Sequence, residues 1–439
     1  MRKWHEQSAR ESAPRQSKLR LERQKRDCKV LFGVAASSQL WPKRNMVCRW
    51  ARDAGTRTAA PWRSRPLHQT PVNLLNVMGV EFKLTDRELP VSPVFINFLA
   101  QVLLKRPFDR ELWAEQLSEA LSFSDEDLNR RATEAAAVVM GNASGREQLA
   151  RAYSLFFALL TGDLAPLHEL QGRFHFINVI GIPRTGGSYL TAELYRALGI
   201  VPEHVPSALA HDSFPEAGPF QLQPGINSWI LSLKTMAEYL TMVEIFFADQ
   251  KQYSGKIVVP KKLTQSIYAG GFFHRVLGEG TEHVLTLRHP VAACVSTYEK
   301  SGGLPVNGCF IVRSNIEGWC RRDLQYSGCS AEQLKSMDYF DAYLRYWEQY
   351  HLSVVTTGLA ATRGLLVVAY GESALQSIAQ GYHDRYGSGL QAAEFHVSDK
   401  ARRLHPDWME RARPSIERIA ATWKALGIAF PADEIGVCW

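Results

Sequence analysis

The sequence predicts an α/β domain built on a parallel sheet with helices on both faces, preceded by a helical region and a disordered basic N-terminal tail. Three observations carry this reading. From Phe174 onward, short β-branched or aromatic runs alternate with helical patterns, the signature of parallel strands joined by crossover helices. Between residues 76 and 170 the patterns are helical alone. The charge is also divided: residues 1–70 hold 17 basic and 5 acidic side chains, a local +12, which leaves 34 basic and 39 acidic in the remainder, or −5. The basic balance therefore belongs to the tail, and the charge of the body gives no ground for nucleic-acid binding.

Taken in order, residues 1–75 read as a disordered basic extension, or as an upstream start with Met46 or Met78 the true first residue, because so few apolar side chains cannot offset the entropy of ordering. They lack the apolar core of a secretory signal. In residues 76–170, Val94–Leu104 is an apolar stretch interrupted by Asn97 and Gln101, well short of the ~20 residues that span a bilayer, so no membrane span is expected. Asp109–Phe123 has helical amphipathicity, Ser124 to Asp127 reads as a capping box opening a helix that runs through Ala135–Met140, and Gly145–Thr161 is a further helix. Residues 171–439 form the α/β domain. Its strands are expected at Phe174–Ile180, Lys256–Val259, His283–Leu287 and Gly364–Ala369, and its helices at Ser188–Leu198, Ala269–Leu277, Val291–Lys300 and Glu372–Tyr386. A longer helix, Asp338–Thr357, carries a Phe340, Tyr343, Trp347, Tyr350 stripe that reads as core. Seven cysteines form no CxxC pair and no zinc-type Cys/His spacing, and their odd number argues against a complete disulfide framework. A reducing, cytoplasmic setting is expected.

Ligands of parallel sheets bind beyond the carboxyl ends of the strands, so the residues just after each strand matter most. After the first strand the chain reads Gly181-Ile-Pro-Arg-Thr-Gly186-Gly187-Ser188, the GxxxxG frame and terminal Ser of a phosphate-binding loop, with Gly187 where an NTPase needs Lys. A helix with Leu190, Leu194 and Leu198 on one face follows, which points the N–H groups of Gly186, Gly187 and Ser188 at an anion. Arg184 is the cation of the loop. The His283–Leu287 strand ends in Arg288, where a magnesium-dependent NTPase often has an acidic residue, and the helix after it bears Ser296. A ligand with two separated phosphates and no obligatory metal fits both features.

These residues resemble the sulfotransferases that use 3′-phosphoadenosine 5′-phosphosulfate (PAPS). Pro183-Arg184-Thr185-Gly186-Gly187-Ser188 is similar to their 5′-phosphosulfate loop, most of all in its bacterial and tyrosylprotein branches. Arg288-His289-Pro290 with Ser296 is similar to their 3′-phosphate motif. Val259-Pro-Lys261-Lys262 and Val367 to Tyr370 resemble two further strand ends. Gly187, His289 and Gly371 depart from the usual Thr, Asp and Glu, and the Gly-rich C-terminal segment of cytosolic animal members has no counterpart. His289 is read as a cap of the Val291 helix.

The resemblance implies a P-loop-type fold and in-line transfer of a sulfuryl group from PAPS, as co-substrate, to a hydroxyl or amine acceptor, with no metal expected. It implies Thr185, Gly186, Gly187, Ser188, Tyr189, Lys262, Arg288, Ser296 and Tyr370 as nucleotide contacts and Arg184 as the catalytic cation. The general base falls to Glu203 or His204, with His211 as a further candidate. Acceptor specificity would come from Ile200–Leu240 and Ser301–Met337, read as loops. A catalytically silent nucleotide-binding module and a divergent P-loop kinase or NTPase stand as alternatives.

Overall fold

The computed structural model describes residues 91–105, 125–212, 214–215, 226–301, 330–387, 390–397 and 406–437. The expected tail, the Asp109–Phe123 helix, Ser124 and most of Ser301–Met337 lie outside them. In chain order the elements are α1 (Pro93–Leu103), α2 (Asp125–Gly141), α3 (Ala143–Thr161), α4 (Ala165–Arg173), β1 (Phe174–Ile180), α5 (Gly187–Ala197), α6 (Ser207–Ala210), α7 (Ile226–Phe246), β2 (Gln252–Tyr253), β3 (Lys256–Lys262) and α8 (Gly270–Leu277). Then follow β4 (Glu282–Leu287), α9 (Pro290–Ser301), α10 (Ala331–Ser336), α11 (Tyr339–Thr356), β5 (Leu365–Ala369), α12 (Glu372–Tyr386), α13 (Pro406–Lys424) and α14 (Ala432–Val437).

The sheet order is β2-β3-β1-β4-β5. β1 pairs in parallel with β3 and β4, β4 pairs in parallel with β5, and β2 pairs antiparallel with β3. The chain is α/β as expected, but the wholly parallel sheet is corrected to a mixed one. The cause is local. Ser254 (φ 52°) and Gly255 (φ 80°) both take positive φ, the two-residue turn whose twist suits antiparallel neighbours. β3 also runs past its expected end at Val259 and through Pro260. A proline fits there because β2 is only two residues long, so β3 has a free outer side at Pro260 and needs no N–H. The Pro260 carbonyl accepts a 2.6 Å bond from the Tyr195 hydroxyl.

Alternation along each strand sends side chains into different cores. Phe174, Phe176, Ile257 and Val259 pack with the apolar faces of α1, α3 and α7, while Ile177, Val179, Val258, Val284 and Val368 pack with Leu190 and Leu194 of α5 and with Leu375 and Ala379 of α12. Ile180, Leu285 and Leu287 meet α9, α11 and α13, and the α11 stripe of Phe340, Tyr343, Trp347 and Tyr350 is buried as expected. Each such aromatic contributes on the order of 1.5–3 kcal/mol of burial.

Helix α7 corrects the reading of Ile200–Leu240 as loops. Its Leu233, Met236, Ala237, Tyr239, Leu240, Met242 and Val243 are all buried, so apolar residues surround the helix and leave no one-sided stripe in the sequence. It is fastened to the segment before α1 by a buried ion pair. Lys234 Nζ lies 3.5 Å from Glu238 Oε1, Ser92 N donates to the same oxygen at 3.0 Å, and the Ser92 hydroxyl receives Lys234 Nζ at 3.0 Å and bonds the second Glu238 oxygen. Removing one partner of such a pair strands a buried charge, whereas removing both does not. Glu238→Leu is expected to cost roughly 3–5 kcal/mol in urea unfolding, and adding Lys234→Met should recover part of that loss.

Candidate functional site

The loop after β1 is held from beneath by hydroxyls. Thr286 Oγ1 of β4 lies 3.2 Å from the Ile180 carbonyl and 2.7 Å from Thr185 Oγ1, which itself donates to the Ile182 carbonyl at 2.8 Å. Thr185 is 1% exposed, so its side chain serves the loop. A Cβ at Gly181 would overlap the Thr185 and Thr286 hydroxyls, and one at Gly186 (φ 87°) would meet Leu375 Cδ1 at 2.6 Å. Close approach requires the glycine at 181 and positive φ the one at 186. Gly186 is the N-cap of α5 and supplies no side chain to it, which leaves the first amides of an eleven-residue helix for an external anion.

Arg184 takes a left-handed backbone (φ 72°), a conformation costing an ordinary residue roughly 1–2 kcal/mol. Its carbonyl thereby accepts Arg288 Nη1 at 2.9 Å, while its own Nε donates to Ser296 Oγ at 3.1 Å. Arg288 is 4% exposed and lies 3.9 Å above the Tyr370 ring. The Arg288 carbonyl accepts Trp347 Nε1 at 3.0 Å, and Tyr370 N donates to the Leu287 carbonyl at 2.6 Å. Thus Arg184, Arg288, Ser296 and Tyr370, scattered over 187 positions of sequence, converge beyond the carboxyl ends of β1, β4 and β5. His289 Nδ1 receives the Val291 N–H at 3.3 Å, as expected of a helix cap.

A second group approaches from β3. Lys262 passes its Cε within 3.5 Å of the Cβ position of Gly187 and ends on the Asp212 carboxylate. A cation thus reaches the loop from the neighbouring strand. Asp212 also accepts Thr264 N at 2.6 Å and sits 3.7 Å from His211 Nδ1, and His211 Nε2 lies 3.3 Å from Ser188 Oγ. Burial opposes ionisation of Asp212, but Lys262 and His211 outweigh it and hold the carboxyl below its ordinary range. Lys261 faces the other side of the sheet, bonded to the Ala208 and His211 carbonyls at 2.7 and 2.8 Å and packed on Phe214 and Tyr239. Burial lowers its ammonium to about 7.

Glu203 and His204 are not brought here. Both are exposed, and Glu203 lies 4.0 Å from Arg196 near the far end of α5, about 13 Å along the helix from its first residue at the usual rise of ~1.5 Å per residue. His211 is therefore the base candidate that meets the loop. Asp212 was not singled out from sequence, although its place beside His211 was a usable signal. Also missed was a wall formed by residues 390–397: Tyr189 donates to the Ala393 carbonyl at 3.1 Å and packs at a tilt on Phe395, whose ring is 5.7 Å from Tyr370. The wall is pinned by Glu193, a buried carboxylate that takes the Ala393 N–H at 3.2 Å and His383 Nε2 at 3.1 Å. Among the described residues no group of three or more His, Cys, Asp or Glu is placed to hold a metal, and no helix is long and apolar enough to cross a membrane.

Because the folded Asp212 titrates below an unfolded aspartate (~3.9), its stabilisation is fully present above that pH and is lost as pH falls through the lower folded value. Thermal unfolding should therefore show the wild type losing more stability between about pH 5 and pH 3 than Asp212→Asn does. Equal losses would mean that the Lys262 and His211 contacts do not stabilise the carboxylate. No protein-family model matches the chain, and neither a curated protein nor a solved structure matches it at a significant level.

Proposed function

We propose that this protein is a P-loop-type sulfotransferase that moves the sulfuryl group of PAPS to a hydroxyl or amine acceptor. The observation that carries the reading is the convergence of Arg184, Ser296 and Arg288 beside an uncapped helix N-terminus, which offers two anion positions on one ligand. The amides of Gly187 and Ser188 with Arg184 suit a 5′-phosphosulfate. Ser296 and the Arg288 guanidinium suit a 3′-phosphate, and the Tyr189, Tyr370 and Phe395 rings beside them suit a purine.

PAPS supplies a sulfur whose bond to the 5′-phosphate oxygen breaks as the acceptor oxygen or nitrogen bonds to it. Arg184 and the loop amides would take up the charge left on that phosphate, and preorganised donors of this kind act most strongly on charge that develops during reaction. His211 Nε2 would accept the acceptor's proton, in place of its contact with Ser188, and the resulting imidazolium would be stabilised by Asp212 at its other nitrogen. Lys262 would keep Asp212 ionised for this role. A cytoplasmic setting accords with cysteines that show no framework spacing.

Binding and turnover separate these roles. Arg288→Ala should weaken adenosine 3′,5′-bisphosphate by about tenfold or more while leaving adenosine 5′-phosphate nearly unchanged, since a charge-assisted contact is worth roughly 1.5–3 kcal/mol. Equal losses for the two nucleotides, read by calorimetry, would refute the 3′-phosphate assignment. Arg184→Ala and His211→Ala should each lower sulfuryl transfer by on the order of a hundredfold, with bisphosphate affinity falling much less and Glu203→Gln leaving the rate unaltered. Tight bisphosphate binding with no transfer to any acceptor and no PAPS hydrolysis would instead favour the silent nucleotide-binding module.

A further inference from the structure

A cavity of about 720 Å³ opens at the amino ends of the strands, the opposite end of the sheet from the loop, between α4, the start of β1 and α8. That volume falls within the range of small-molecule sites, roughly 300–1,000 Å³. Its exposed apolar lining is Leu164, with Phe174, Phe176 and Leu277 buried in the wall behind. The polar lining includes His168, Lys256, His274, Arg275 and Thr281, with Glu279 as the opposing carboxylate. His175 also borders it, but its Nε2 is bonded at 2.9 Å to Glu282, which takes Arg385 as well at 2.8 Å, so that group is satisfied within the protein.

The framework is fixed by its own hydrogen bonds. Lys256 Nζ donates to the Gln171 carbonyl at 2.8 Å, and Gln171 Nε2 donates to the carbonyls of Arg275 and Val276 at 2.9 and 3.1 Å. Two polar atoms at the wall lack any protein partner. The Thr281 hydroxyl belongs to a residue 1% exposed, and His274 Nδ1 is buried. Behind His274, at a ring separation of 6.1 Å, His283 is fully buried and neither of its ring nitrogens has a protein partner. These orphaned atoms lie behind the cavity surface, and the lining that a ligand can reach is that of His168, Lys256, Arg275 and Glu279. The surplus of cationic and donor side chains over the single carboxylate sets the sign of that ligand.

We propose that this cavity binds a small organic anion with an apolar body, its carboxylate or phosphate held by Arg275, Lys256 and His168. The site is separate from the loop and independent of the sulfotransferase reading. Three probes define it by calorimetry on the full chain: phenyl phosphate, benzoate and the neutral benzyl alcohol. At least one anion should bind about tenfold more tightly than the alcohol, a difference of ~1.4 kcal/mol. Arg275→Ala, at an exposed position that does not threaten folding, should weaken that anion by about tenfold, and Arg275→Lys should restore part of it. Arg184→Ala, which removes the exposed cation of the loop, should leave it unchanged. Absence of binding by both anions, equal binding of the alcohol, or loss of binding in the loop variant with retention in Arg275→Ala would each overturn the proposal.

Discussion

The contact between the Arg288 guanidinium and the Arg184 carbonyl holds together the end of the sheet where the candidate site lies. A guanidinium cannot shed its proton, so burying it obliges the fold to bring dipoles and π-faces to it. The Arg184 carbonyl at 2.9 Å and the Tyr370 ring at 3.9 Å answer part of that demand. The carbonyl can do so because Arg184 adopts a positive φ, and that in turn aims the Arg184 side chain at Ser296. The backbone strain of one residue thus sets the position of two cations. Trp347 completes the arrangement from α11 by donating to the carbonyl of Arg288 itself, which links the aromatic core under α9 and α13 to the site above it.

Around this contact the polar groups divide by the face of β3 from which they come. Lys261 and Lys262 are adjacent, so the pleat sends them to opposite sides. Lys262 reaches the loop and Asp212, whereas Lys261 holds the Ala208 to His211 turn from behind and so fixes the backbone that carries His211. One strand end therefore supplies both a charge at the site and the support for its base candidate. Glu193 acts similarly from α5, its buried carboxylate tying residues 390–397 against the aromatic side chains beside Arg288.

Much of the fold was legible in sequence because it follows from periodicity. The strands Phe174–Ile180 and His283–Leu287 are β-branched or aromatic-rich runs of the kind that strands buried on both faces show, and the α5 leucines and the α11 stripe repeat at the spacing of one buried helix face. Elements without such a face were misread. Helix α7 is buried on all sides between Ser232 and Val243, and the β2–β3 hairpin offers only two residues of strand beside a Ser-Gly turn. The loop glycines were legible for a different reason, since close approach and positive φ leave few other choices at Gly181 and Gly186.

The sequence by itself determined the α/β class, the position of the loop, and the two cations at strand ends, because each depends on a local pattern of a few residues. Only the tertiary structure decided which polar residues meet. Glu203 and His204 stand close to the loop in the chain but at the far end of a rigid helix, whereas His211, further along, returns to Ser188 because Lys261 and Asp212 anchor its turn to β3. The orphaned polar atoms of Thr281, His274 and His283 likewise carry no sequence signature. Distance along the chain does not measure distance in space once helices of fixed rise and strands of fixed register intervene.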